Sequence, residues 1–318
     1  MMKWLFSICC CFVVSFLQPA KADEAGWALF NKVQQSVRTH NFDVSFVVLK
    51  GGQAETYRWL HGREGAAEVE HLIPMFADSV DIIRRNNQVY YLLGDRPSLI
   101  THSNRIKELP ALLFEDQARI SSLYTAVAGS SSVLDGRSAQ LLRLSANTLN
   151  RYHYWLWIDV ETGFPLRIDT LAEQHPSNQS RALEIWQVTH LRIMPEISDN
   201  LQQLMQIELP DAGVDGSRQL ADSLQQQQHK LNWLPAGFTI VPEPLSVPQL
   251  EPEVLSYWLL SDGLHQISVF VQRSHRLPTQ AYRDGALTIY VQSDPQLDIT
   301  VIGPISVDTA QRLAAAVN

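Results

Sequence analysis

The chain has 318 residues, 45% of them hydrophobic and 18% charged, with a formal net charge of −8. That is enough for about two domains, and the acidic balance excludes general nucleic-acid binding, which needs a basic surface. The three cysteines are Cys9, Cys10 and Cys11, so the rest of the chain has no disulfide or thiol chemistry.

Residues 1–22 read as a secretory signal: Lys3, then an apolar run from Trp4 to Leu17, then Ala20-Lys21-Ala22 as a small-x-small cleavage site. The run is short for a membrane anchor, and no later run reaches spanning length. Residues 23–37 follow as a helix, with Trp27, Phe30, Gln34 and Val37 at helical spacing. Strands come next: 42–49, 56–60 after the Gly51-Gly52 turn, 67–73, then 80–85 and 88–93 around Asn86-Asn87. Residues 99–128 are less periodic. Pro110, Leu112, Leu113 and Phe114 suggest a short helix or apolar loop against a sheet face. Gly129-Ser130-Ser131-Ser132 reads as a loop, and Asp135-Gly136 as a tight turn into a strand over 139–144.

Residues 152–171 read as a heavy hairpin. Tyr152, Tyr154, Leu156 and Ile158 fall on one face; His153, Trp155, Trp157 and Asp159 fall on the other. Such a hairpin needs cover on both faces, and it is expected in the middle of a large antiparallel sheet. A polar turn at 175–180, a long strand at 183–194 with Trp186, and a short helix at 196–205 follow. Strands connect directly to strands, which disfavours a parallel α/β sheet. The fold class expected is α+β and mostly β: a large curved antiparallel half-barrel with helices on its concave side, plus a small C-terminal α+β domain. The divisions are 1–22 signal, 23–210 half-barrel, 211–232 linker rich in Gly and Gln, and 233–318 small domain. In the last, strands fall at 254–260, 266–272, 286–292 and 298–302. A helix over 307–317 follows, with Ser306 as N-cap.

No catalytic constellation appears: no HExxH, GxSxG, phosphate loop, GxGxxG or CxxC. The chain reads as a non-enzyme with no cofactor and no metal. His61 and His71 are scattered histidines, Ser130 to Ser132 lack a nearby base, and Asp159 and Glu161 are solvated turn residues. The better lead is aromatic. Phe46, Val48, Trp155, Trp157 and Trp186 either pack an ordinary core or line a concave site for a lipid chain or apolar peptide. A second lead is basic. Arg273, His275, Arg276 and Arg283 crowd one stretch of an acidic domain and form either a solvated edge or a contact for an anionic partner.

Several stretches carry a resemblance: WLWIDVETGFPLRIDTL at 155–171, TYRWLHGRE at 56–64, IIRRNNQVYY at 82–91, WLPAGF at 233–238, YWLLSDGLHQISVFV at 257–271 and ITVIGPISVDTAQRLAAAV at 299–317. Together, and in this order, they resemble the periplasmic sigma-E regulators of the RseB/MucB family. The resemblance implies a half-barrel similar to the lipoprotein carriers joined to a small second domain, located in the periplasm. It implies a partner, the periplasmic part of an RseA- or MucA-like membrane-anchored anti-sigma factor. Bound, the protein would shield that factor from site-1 proteolysis and hold the envelope stress response off, with release by lipopolysaccharide or lipoprotein acyl chains. The alternative is a periplasmic carrier or chaperone for acylated lipoproteins. Self-association is left open.

Overall fold

The computed structural model describes residues 20–76, 80–92, 98–172, 182–209, 229–241, 254–276 and 278–318. The expected turn at 175–180, most of the expected linker and nearly all of the signal segment lie outside the described residues. No described helix is long and apolar enough to cross a membrane.

The larger sheet has eleven antiparallel strands: β1 (Asn41–Lys50), β2 (Gln53–Glu64), β3 (Ala67–Pro74), β4 (Asp81–Arg85), β5 (Gln88–Leu92), β6 (Leu99–His102), β7 (Tyr124–Leu134), β8 (Arg137–Ala146), β9 (His153–Asp159), β10 (Pro165–Leu171) and β11 (Ala182–Met194). Their order is β6-β5-β4-β3-β2-β1-β11-β10-β9-β8-β7. The middle strand is therefore β1, not the heavy hairpin β9–β10, which stands beyond β11. Alternation builds the core face. Phe42, Val44 and Phe46 of β1 are buried with Trp59, Leu72, Leu156, Ile168 and Trp186.

Helix α1 (Ala20–Thr39) lays Phe30, Val33 and Val37 on this core face. It packs closely on β7. A Cβ at Gly26 would stand 2.3 Å from the Ala126 carbonyl oxygen, so only glycine fits. The segment between β6 and β7 also lies over the core face, burying Ile106, Leu109, Leu112, Leu113 and Ile120. It holds a 3₁₀ turn (Ala111–Leu113) and helix α2 (Gln117–Leu123), whose first turn is capped by Asp116. The concave face is thus largely filled by the chain's own side chains. Helix α3 (Asp199–Gln206) lies on the opposite face, where Ile197 and Leu201 cover Leu60, Val69 and Ile83. The helices are therefore not all on the concave side. Arg85 holds the end of α3 by donating to the carbonyls of Leu204 and Ile207.

The smaller sheet contains β12 (Thr239–Ile240), β13 (Val254–Ser261), β14 (Gln266–Arg273), β15 (Gln280–Asp284), β16 (Leu287–Ser293) and β17 (Leu297–Gly303), in the order β12-β13-β14-β17-β16-β15. Helix α4 (Val307–Ala315) buries Ala310, Leu313 and Ala314 in the same core as Ile267, Val269 and Val301. Ser306 caps it, accepting from the Thr309 N–H. Two local readings change. Ser130, Ser131 and Ser132 belong to β7, where a register shift between Ala128 and Ser131 accommodates them at an exposed edge. Strand β15, whose residues are exposed apart from half-buried Asp284, has too little apolar alternation to be read from sequence.

Candidate binding faces and the interdomain contact

The five aromatic and apolar candidates do not share a face. Val48 is paired with Trp186 across β1 and β11, and the Phe46 and Trp186 rings stand 4.8 Å apart. Phe46 and Trp186 are buried in the core and Val48 packs against it. Trp155 and Trp157 project from the other side of the sheet. Their neighbours on β9, Tyr154, Leu156 and Ile158, take the core face instead. On the outer face, Arg143 lies 5.1 Å from the Trp155 ring and Arg167 lies 5.1 Å from the Trp157 ring. The two indoles meet edge to face at 6.2 Å. Arg167 is also held by both oxygens of Asp169. The alternation of β9 forces this split, so one concave site cannot hold all five.

The basic candidates are also divided. Arg273, His275 and Arg276 are exposed where β14 ends, and the His275 N–H donates to Asp298. Arg283 is paired with Thr288 near the other end of the sheet, since Thr288 faces Gly303 while Arg273 faces Leu297. It lines a separate groove of 720 Å³ with Leu49, Lys50, Leu183 and Ile185.

His61 and His71 do not come together. His61 neighbours Glu70 on the core face, while His71 pairs with Leu60 on the α3 side. The donor atoms of His61, Glu68 and Glu70 lie within 4.8 Å of one another, a spacing that suits a cation. Arg84 already supplies the positive charge there. Its Nε donates to Glu70 at 2.6 Å and its Nη2 to Glu68 at 2.6 Å. Burial alone would raise the Glu68 carboxyl, but His61 and Arg84 outweigh it and hold it at about 2. Asp159 is not a solvated turn residue. It is buried, takes both arms of Arg137 and accepts from Thr162 within its own turn.

A contact between the two sheets was not foreseen. Arg151, just before β9, is buried and donates to Asp262 at 2.8 Å and to the Ala236 carbonyl at 2.7 Å. Its guanidinium lies 5.3 Å from the Phe238 ring. Tyr154 meets His265 at 2.6 Å, and the Tyr152 hydroxyl donates to the Ile305 carbonyl at 2.6 Å. Asp262 sits in the turn between β13 and β14 and accepts from the N–H groups of Leu264 and His265. Burial would raise its carboxyl, yet His265 and Arg151 hold it at about 2. Arg151 and Asp262 are far apart in sequence, so no spacing could reveal the pair.

The chain is similar to known proteins over both of its parts. Residues 26–207 match the MucB/RseB N-terminal domain, and residues 223–318 match the MucB/RseB C-terminal domain. The Sigma-E factor regulatory protein RseB of Escherichia coli K12 is 26% identical over 306 residues, covering 94% of this chain and 92% of its own. The Sigma factor AlgU regulatory protein MucB of Pseudomonas aeruginosa is 25% identical over 305 residues, covering 93% and 91%. Among solved structures, the Pseudomonas aeruginosa MucA/MucB complex matches with a TM-score of 0.67 at 21% identity, over 92% of this chain and 98% of that chain. A crystal structure of MucB alone matches with a TM-score of 0.59 over the same shares. Both parts of this chain are matched, in order, by the two domains of one family, and the chain belongs to the MucB/RseB family.

Proposed function

We propose that this protein is a periplasmic negative regulator of a sigma-E-type envelope stress response. It binds the periplasmic part of an RseA- or MucA-like anti-sigma factor, shields it from site-1 proteolysis, and is released by lipid or lipopolysaccharide. The observation that carries this reading is the match of both domains to relatives named as sigma-factor regulatory proteins, one of them solved as the MucA/MucB complex. The fixed joint between the sheets supports it, because Arg151, Tyr152 and Tyr154 join the two parts into one surface. The carrier reading is weakened by the concave face, which is packed with Phe30, Val33, Leu112 and Leu113 where an acyl chain would lie.

Arg273 and Arg276 are the basic contacts proposed for an acidic segment of the partner, since both are exposed and arginine pairs carboxylates bidentately. The test is a titration of the purified protein with the periplasmic segment of the cognate anti-sigma factor, followed by site-1 protease digestion of the complex. Saturable binding and slower cleavage are expected, with weaker binding for Arg273→Glu/Arg276→Glu. Absence of binding by the wild type would overturn the function. Unchanged binding by the double variant would overturn only the assignment of the two arginines.

A further inference from the structure

A cavity of 300 Å³ lies on the seam between the two sheets. Arg105, Lys107, Arg119 and Glu115 line it from the larger part, and Ser261 and Gly263 from the smaller. Its most telling feature is cationic groups without acceptors. Among the described residues, neither the Arg105 nor the Arg119 side chain makes a hydrogen bond or an ion pair.

Arg105 is firmly placed. The Ser103 hydroxyl donates to the Arg105 carbonyl at 2.7 Å and accepts from its N–H at 3.2 Å. Ile106, next in the chain, is fully buried and anchors the loop. Arg119 reaches across the seam and covers Gly263, where a Cβ would stand 2.1 Å from Arg119 Nη1. Gly263 also has φ +90°, so the turn and the close approach both require glycine there. Lys107 stands 5.2 Å over the Tyr91 ring and 4.0 Å from Glu108, whose other oxygen accepts from the Tyr91 hydroxyl.

Three cations therefore face two carboxylates, Glu108 and Glu115, which leaves one positive charge in excess. Burial pushes both carboxyls upward and draws Arg105 downward at the inner end of the cleft. Arg105 is half-buried without an acceptor, while Arg119 and Lys107 stand exposed at the mouth of the cleft; an anion offering several oxygens would satisfy Arg105 and bridge it to Arg119. The rest of the lining includes Thr101, Asn104, Thr239 and Gln266, so the walls suit a polar head and not an apolar chain.

We propose that this cleft binds a phosphate monoester between Arg105 and Arg119, with Lys107 at its rim, and that the bound anion ties the two domains together at Gly263. The proposal stands apart from the anti-sigma reading, because its test needs no partner protein.

The test is calorimetric titration of the full chain with inorganic phosphate and with glucose 6-phosphate, against sodium chloride at matched ionic strength. Co-sedimentation with vesicles of phosphatidylcholine, with and without phosphatidic acid, forms the other arm. Saturable binding and slower hydrogen exchange at Gly263 and Leu264 are expected in the wild type. Arg105→Gln/Arg119→Gln should weaken binding about tenfold or more. Binding of glucose 6-phosphate or inorganic phosphate identifies a free phosphate source, whereas binding only to phosphatidic acid vesicles identifies a lipid headgroup. Lys107→Gln, at an exposed rim position, should weaken binding several-fold and covers the case in which the double variant does not fold by circular dichroism. Equal affinity of the wild type and the folded arginine variant would overturn the proposal, as would no binding in either arm.

Discussion

Trp157 and Phe46 show how one residue type can serve opposite faces. Phe46 is buried and rings pack around it, so Phe46→Ala should cost about 3–5 kcal/mol in urea melts. Trp157 lies half-exposed under Arg167, and Trp157→Ala should cost about 1–2 kcal/mol. A loss for Trp157 as large as that for Phe46 would mean that the outer face is a second packed core. The sequence showed which residues of β9 share a side. It did not show which side faces α1, because both sides carry large apolar or aromatic groups. The same limit applies to Arg283. Its nearness to Arg276 in sequence suggested a cluster, but antiparallel pairing carries it to the far end of the sheet.

At the scale of elements, the turn between β13 and β14 carries a pH signature. Asp262 has a folded pKa of about 2, below that of an ordinary carboxyl, so folding favours its ionised form. Its contribution is complete above about pH 4 and is lost as pH falls through about 2, a change of about 2–3 kcal/mol. Burial raises Glu108, Glu115 and Glu184, which act in the opposite sense. Their contribution is present below the ordinary glutamate pKa and is lost as pH rises through the raised values. Urea midpoints measured from pH 7 to 2 should therefore fall steeply only at the acid end. Asp262→Asn should flatten part of that fall, and a wild-type slope retained in the variant would show that other carboxylates dominate. Local elements were largely legible: the cap at Ser306, the hairpins, and the helices α1 and α4 follow from spacing and turn chemistry. Strand β15 and the serines of β7 were not, because an edge strand needs no apolar alternation.

For the whole molecule, the larger fold class followed from strands that connect directly to strands, while the joint between the sheets stayed hidden. That joint decides how the two parts behave when the chain is cut. With an engineered protease site between residues 211 and 228, the two fragments should stay together on gel filtration. Arg151, Asp262, Tyr154 and His265 provide buried partners across the seam. Arg151→Ala removes the guanidinium from buried Asp262, leaving it only His265, and should weaken the joint by about 3–5 kcal/mol. The cut variant should then separate. Free fragments from the cut wild type would show that the seam holds only while the chain is continuous.

The strand order also governs how the polypeptide reaches this state. β1 is the middle strand, but one of its two neighbours, β11, arrives late: Val44 must wait for Leu191. Until then one full edge of this core strand has no mate, and its only pairing is the local one with β2 on its other side. Closing so long a loop is slow, and the open edge is prone to pairing with other chains. Nascent chains ending before Met194 should therefore remain unfolded or aggregate. The larger domain should fold after its whole length is available, and not strand by strand during synthesis.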